Sequence, residues 1–127
     1  MNKQERMEKA IYEHGKQLNQ VFGLDEDPIK LSKQLRRIEV AANRYAVQLC
    51  NGEIDPTEEE WDQQEELILA RVDKITGFRS KGIPVIYNMD PRGYALKIDD
   101  AYMREHKVDL HGDWGGFGIL SPDLSNA

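Results

Sequence analysis

The strongest structural signals of the sequence lie in residues 27–52, which read DPIKLSKQLRRIEVAANRYAVQLCNG. Asp27 is a good helix cap and Pro28 suits a first helical turn. Asn51 and Gly52 tolerate the left-handed conformation that ends a helix. Between these signals, apolar residues recur at spacings of three and four, the period of one helix face. They are Leu31, Leu35, Ile38, Ala42, Tyr45 and Leu49. The stretch therefore predicts one long amphipathic helix.

Two further helices flank this one. A first helix is predicted over residues 3–22, although Gly15 interrupts it. Its apolar face consists of Met7, Ile11, Leu18 and Phe22. A third is predicted to start at Asp55 as the cap, with Pro56 in the first turn and an acid three residues past the cap. Gly77 ends it. Because the second and third helices are joined by a short loop, they are expected to form an antiparallel hairpin.

The chain changes character after residue 77. The runs IPVIY (83–87) and YALKI (94–98) are apolar and rich in strand-forming residues. The segment between them is dense in turn residues, so the two runs predict a β-hairpin. A short helical or irregular crossover is expected over residues 99–106. A third strand is expected over residues 117–120.

The predicted fold class is therefore α+β, with N-terminal helices followed by a small antiparallel β-sheet. The length of 127 residues suits a single domain, residues 1–127. We expect residues 1–77 to form its helical part and residues 78–127 its β-rich part.

Composition narrows the class of protein. A single cysteine and a polar N-terminus without an apolar segment behind it indicate a cytoplasmic, non-secreted chain. No stretch is apolar enough to span a bilayer, so no membrane partner is expected. The net charge of −6 argues against nucleic acid as a partner.

The charge is unevenly distributed. Residues 55–66 contain seven acids and no base, whereas residues 30–44 contain five bases and one acid, Glu39. A basic pocket on an acidic body suits a small anionic ligand.

Catalytic and metal sites are not predicted. The nearby residues His106, Asp109, His111 and Asp113 match no metal-binding spacing, so we expect no metal and no cofactor. Cys50 is predicted to be a small buried hydrophobe. The glycines of residues 112–118 precede a strand, which is the wrong context for a dinucleotide-binding loop. A binding protein is therefore expected rather than an enzyme. The alternative is a nucleotide-acting enzyme that uses His106 and Asp113 as an acid/base pair.

Residues 88–94, NMDPRGY, are the most specific segment. One interpretation is a hairpin connection built on its proline and glycine. The other is a nucleotide site, because arginines beside aromatic rings can hold phosphates and stack a base. Its members would be Arg92 with Phe78, Arg79, Lys81 and Tyr94. Asn88 can read a base edge by paired hydrogen bonds.

Three runs together resemble a group of small phage and prophage proteins. They are NRYAVQLCNG (43–52), NMDPRGYALKI (88–98) and LHGDWGGFGIL (110–120). Within that group the chain resembles the first type of Thoeris anti-defence protein. These are phage-encoded sponges that sequester glycocyclic ADP-ribose, the signal of bacterial TIR-domain immune proteins, without degrading it. Some relatives also take up cyclic nucleotides at separate sites. The resemblance implies a homo-oligomer, a dimer or a hexamer, in the host bacterial cytoplasm.

The resemblance also implies ligand-binding residues. Phe78 and Asn88 correspond to the aromatic and the asparagine that grip the base, and Arg104 to an arginine that holds phosphates. A second arginine expected just after Arg104 is absent. Arg44 is added as a helical arginine. Asp90 and Arg92 belong to the shared motif and serve either the ligand or the hairpin.

A different class of function remains open. The acids of residues 55–66 would allow a phage inhibitor that contacts a host nuclease or immune effector directly. The simpler interpretation of this run is a solvated helix face.

Overall fold

The computed structural model describes residues 1–89, 94–106, 120–122 and 124. Helix α1 spans Lys3–Phe22, as predicted. Asn2 caps it by accepting a hydrogen bond from the backbone N–H of Glu5, and Gly23 ends it in the left-handed conformation at φ 66°. Helix α2 spans Pro28–Cys50. Its Asp27 cap accepts from the N–H of Lys30 at 2.9 Å, which confirms the predicted start.

Helix α3 spans Glu58–Thr76, and the predicted Asp55 cap is wrong. Thr57 is the cap, and it forms a capping box with Glu60 in which each side chain bonds the other residue's backbone N–H. This reciprocal pair satisfies two N–H groups at once, which a single aspartate at residue 55 would not do. Gly77 ends the helix in the left-handed conformation, as predicted.

Helices α2 and α3 form the predicted antiparallel hairpin. Tyr45 near the end of α2 lies beside Trp61 at the start of α3, with ring centroids 6.2 Å apart. At the other end of the hairpin, Lys30 and Arg71 line one cleft. Helix α1 packs on the α2 side of this hairpin. His14 and Ser32 are fully buried between α1 and α2, where His14 Nδ1 lies 3.2 Å from Ser32 Oγ.

The described β-structure is a two-stranded antiparallel sheet. Strand β1 spans Val85–Tyr87 and strand β2 spans Leu96–Ile98. Val85 pairs with Ile98, and Tyr87 pairs with Leu96. Both strands are shorter than predicted. The first begins only after Pro84, which has no N–H to give to a ladder. The fold class is therefore α+β, as predicted.

The crossover after the hairpin is a short helix, α4, spanning Asp100–Glu105 and capped by Asp99. The predicted third strand falls outside the described residues except for Leu120. That residue lies in a bend and is 1% exposed.

Two polar contacts join the sheet to α2 beside a shared apolar core. The hydroxyl of Tyr87 donates to the carbonyl oxygen of Ala42 at 2.6 Å. The carboxylate of Glu39 accepts the N–H groups of Ala95 and Leu96 at 2.7 and 2.8 Å. The core draws on helices and strands alike, and its largest members include Leu18, Leu31, Leu35, Ile68, Leu96 and Met103. The sheet is thus fixed against the middle of α2.

No described helix combines the length and the apolar character needed to cross a bilayer.

Candidate functional site

A groove between the first turns of α2 and the last turns of α3 carries four basic side chains. We call it the basic cleft, and its volume is about 490 Å³. It is lined by Glu26, Lys30, Gln34, Arg37, Ile38, Arg71, Lys74 and Ile75. A volume of this size is within the range of small-molecule sites.

Helix periodicity explains why these residues meet. Lys30 and Arg37 are seven residues apart on α2, so they share one face, and Arg71 and Lys74 share a face of α3 at a spacing of three. The antiparallel hairpin brings the two faces together. Ile38, which is 3% exposed, forms part of the apolar floor. The four cations stand at the exposed rim.

The cations of the basic cleft are not neutralised by other parts of the described chain. The ion pairs within 4.0 Å among described residues are Arg79 with Glu66 and Lys97 with Asp100. None of the four cleft cations takes part in them, and the lining residues that the structure describes include a single carboxylate, that of Glu26. Unpaired like charges around a concave surface attract anions, and arginine guanidinium groups match phosphate oxygens in pairs. The arrangement therefore suits a phosphate-bearing ligand.

Sequence reasoning found only half of this cleft. It grouped the bases of residues 30–44 by their closeness along the chain, and Arg71 and Lys74 lie in another helix. A signal for them existed, because an antiparallel hairpin places the end of α3 beside the start of α2. The cleft belongs to the helical hairpin, whereas the expected pocket residues lay mostly in the β-rich part.

Phe78, the predicted base-stacking aromatic, lies in the core. Its side chain is 1% exposed, and its ring centroid is 5.1 Å from that of Phe22. It forms part of the wall of a cavity of about 350 Å³ together with Asp73, Arg79 and residues 82–85. Neither Asn88 nor Arg104 is among the described residues that line this cavity.

The other predicted site residues lie on separate elements. Asn88 follows β1, and its backbone N–H donates to the carbonyl oxygen of Ala95 at 2.6 Å, which extends the hairpin. Arg44 is exposed on α2, and Arg104 is exposed on α4. Asp90 and Arg92 lie outside the described residues. Phe78 and Arg79 line the same cavity, but no described cavity brings together any two of Phe78, Asn88, Arg44 and Arg104.

Arg79, another residue of the predicted cluster, is held by a carboxylate. Its guanidinium donates to both oxygens of Glu66, at 2.8 and 2.9 Å. This pair lowers the pKa of the Glu66 carboxyl, and its largest cause is the hydrogen bond from Arg79. The paired guanidinium makes Arg79 a weaker candidate for phosphate binding than the unpaired arginines of the basic cleft.

Candidate catalytic and metal-binding residues do not come together in the part of the chain that is described. No group of three His, Cys, Asp or Glu side chains there is placed to hold a metal ion. Asp109, His111 and Asp113 lie outside the described residues, as does the glycine-rich run 112–118. The prediction of a buried Cys50 is wrong: the residue is exposed at the end of α2, with its Sγ 4.0 Å from the carbonyl oxygen of Met89.

Comparison with known proteins gives no relative: no family model, no curated protein and no solved structure matches this chain. The function is therefore inferred from the chain's own residues and from the resemblance of its motifs.

Proposed function

We propose that this protein is a phage anti-defence protein that binds and sequesters a cyclic nucleotide-type immune signal, similar to glycocyclic ADP-ribose, without degrading it. The observation that carries the proposal is the basic cleft, in which four cations without an ion pair to another described residue surround an apolar floor on a chain of net charge −6. The resemblance of three sequence runs to the Thoeris anti-defence family names the class of ligand.

The chemistry of the cleft suits a ligand with two phosphates. Arg37 and Arg71 stand on opposite helices, so each can hold one phosphate through paired N–H donors. Lys30 and Lys74 add compact charges that need no fixed geometry. Ile38 and Ile75 offer an apolar surface to a ribose or base. We infer that binding depends on charge and therefore weakens as salt is added.

Sequestration rather than turnover is the second part of the proposal. The described lining of the cleft combines cations with an amide and a single carboxylate, Glu26, and it includes no histidine or cysteine. Such a set can hold a phosphate-bearing ligand but offers no paired acid and base for breaking it. We further propose that the protein acts in the host bacterial cytoplasm as a homo-oligomer, a dimer or a hexamer.

The test of sequestration is recovery of the ligand. Protein is mixed with an equimolar amount of glycocyclic ADP-ribose, washed by gel filtration and then denatured. Chromatography of the released material should return the intact ligand at a constant ratio to protein after short and long incubations. A product that accumulates with time would show an enzyme instead. Complete loss of the ligand from the protein during gel filtration would contradict tight binding.

A second candidate function is inhibition of a host nuclease or immune effector by direct contact. It is favoured by the exposed acids in the first turns of α3, which include Glu58, Glu59 and Asp62. Closely spaced carboxylates imitate the charge of a nucleic-acid backbone. Reversing Glu59 and Asp62 to lysine should abolish this activity and leave ligand binding in the basic cleft unchanged. A pull-down in which the charge-reversed protein captures the same effector as the wild type would exclude this function.

A further inference from the structure

A second cavity of about 490 Å³ lies on the opposite flank of α2, between the start of α1 and the start of β2. We call it the Asn43 pocket. Its described polar lining residues include Lys3, Arg36, Glu39, Asn43 and Ser121. Of the residues named for the predicted nucleotide site, Tyr94 is among its described lining, and the pocket shares no described residue with the basic cleft.

The floor of the Asn43 pocket is rich in hydrogen-bond acceptors. The Oδ1 atom of Asn43 is buried and has no hydrogen-bond partner among the described residues. An amide oxygen left in that state costs free energy, so it calls for a donor from outside the described chain. The carboxylate of Glu39 is nearby in the same lining, and each of its oxygens has accepted only one backbone N–H.

The rim of the pocket carries the opposite charge. Lys3 and Arg36 are exposed at its edge, and neither forms an ion pair with another described residue. A simple anion would be repelled by the Glu39 carboxylate at the floor, and a simple cation by the two rim charges. A ligand with one positive and one negative group can pair with the acceptors at the floor and with the cations at the rim.

The other described lining residues of the pocket are apolar or aromatic. Met7, Val40 and Leu124 line the cavity together with Tyr94. Val40 is 44% exposed. An aliphatic side chain on the ligand would cover this surface. The volume far exceeds that of a single water molecule.

We propose that the Asn43 pocket binds a small zwitterion of the amino-acid class with an aliphatic side chain. Its ammonium group donates to Asn43 Oδ1 and Glu39, and its carboxylate is held by Arg36 and Lys3. The proposal is independent of the function assigned to the basic cleft, because the two sites have no residue in common.

The test is a titration of the isotope-labelled protein with L-leucine, followed by amide chemical shifts. It is carried out at about pH 8, where Glu39 is ionised because burial raises its pKa only to about 7. Two matched probes accompany leucine: isoamylamine, which lacks the carboxylate, and isocaproate, which lacks the ammonium. Leucine should give saturable shifts around Asn43, and each half-ligand should bind at least about tenfold more weakly.

Variants separate the pocket from the basic cleft. Asn43→Ala and the exposed Arg36→Gln should each weaken leucine binding at least about fivefold, and Arg71→Gln in the basic cleft should not change it. The proposal is overturned if leucine gives no saturable shifts up to about 10 mM, a concentration that reveals millimolar affinity. It is equally overturned if the half-ligands bind as well as leucine, or if Arg36→Gln leaves leucine binding unchanged.

Discussion

The carboxylate of Glu39 accepts the backbone N–H of Leu96 at 2.8 Å, which joins the middle of α2 to the first residue of β2. Its second oxygen accepts from Ala95 at 2.7 Å. Ala95 and Leu96 are 1% and 0% exposed, so water cannot replace this acceptor. Glu39 is therefore the polar anchor of the β-hairpin.

Replacing Glu39 with alanine should destabilise the protein strongly. The change leaves two buried N–H groups without an acceptor, and each such group costs about 1–3 kcal/mol. Urea unfolding measures the loss as a fall in the midpoint with an unchanged slope. The matched control is Glu53→Ala, because Glu53 is exposed in the loop after α2. Equal midpoints for the two variants would disprove the anchoring role.

The free energy of unfolding should depend on pH through Glu39. Burial raises its pKa from 4.5 to about 7 in the folded protein, so the folded state binds this proton more tightly than the unfolded state. The proton-linked part of the contribution of Glu39 to stability is therefore complete below pH 4.5 and is lost as the pH rises to about 7. The loss amounts to at most about 3 kcal/mol.

Groups other than Glu39 also affect the free energy of unfolding, so the quantity measured is the difference between two proteins. Unfolding free energies of the wild type and of Glu39→Gln, which cannot titrate, are compared across the window. The wild type should lose stability relative to the variant as the pH rises. Unfolding free energies of the two proteins that change in parallel with pH would contradict the raised pKa of Glu39.

Phe78 offers a test that separates a core residue from a base-stacking residue. Phe78→Ala should cost about 3–5 kcal/mol, because the side chain is fully buried against Phe22. Phe78→Leu conserves more of the volume and should cost less than about 1.5 kcal/mol. If Phe78 serves only the core, the folded Phe78→Leu variant binds ligand as the wild type does. A folded Phe78→Leu variant without binding would restore the base-stacking role.

The start of α3 can be tested by paired substitutions. Thr57→Ala should cost about 1 kcal/mol, since it removes one half of the capping box. Asp55→Ala should change stability by less than about 0.5 kcal/mol, because Asp55 does not cap the helix. Thermal or urea unfolding of the two variants gives the comparison. A larger loss at Asp55 would return the cap to the position that the sequence first indicated.

The elements that sequence reasoning placed well are those with local signals. Asp27, Pro28 and Gly77 mark helix ends through contacts with residues only a few positions away, and the apolar period identifies the buried face. The start of α3 was misplaced because two acceptable caps stand two residues apart. The Thr57 to Glu60 pattern of a capping box was nevertheless visible in the sequence.

The features that sequence reasoning missed depend on contacts between distant residues. Glu39 stands in a basic run, and its partners are backbone groups 56 and 57 residues away, which no side-chain pattern reveals. The basic cleft needs α2 and α3 to be docked before Arg37 and Arg71 become neighbours. Phe78 was assigned to the ligand because it is an aromatic residue close to Arg79 and Arg92 in the sequence and because of the resemblance, and neither observation bears on its burial.

Binding of the signal in the basic cleft is tested most directly by calorimetry. Glycocyclic ADP-ribose is titrated into the wild type and into the double variant Arg37→Gln/Arg71→Gln. The matched control is Arg6→Gln, because Arg6 is an exposed arginine of α1 outside the basic cleft. The wild type and the control should bind the ligand saturably. The double variant should bind it at least about 100-fold more weakly, since each arginine–phosphate contact is worth about 1.5–3 kcal/mol. Equal affinities for the wild type and the double variant, or no heat with any cyclic ADP-ribose isomer, would contradict it.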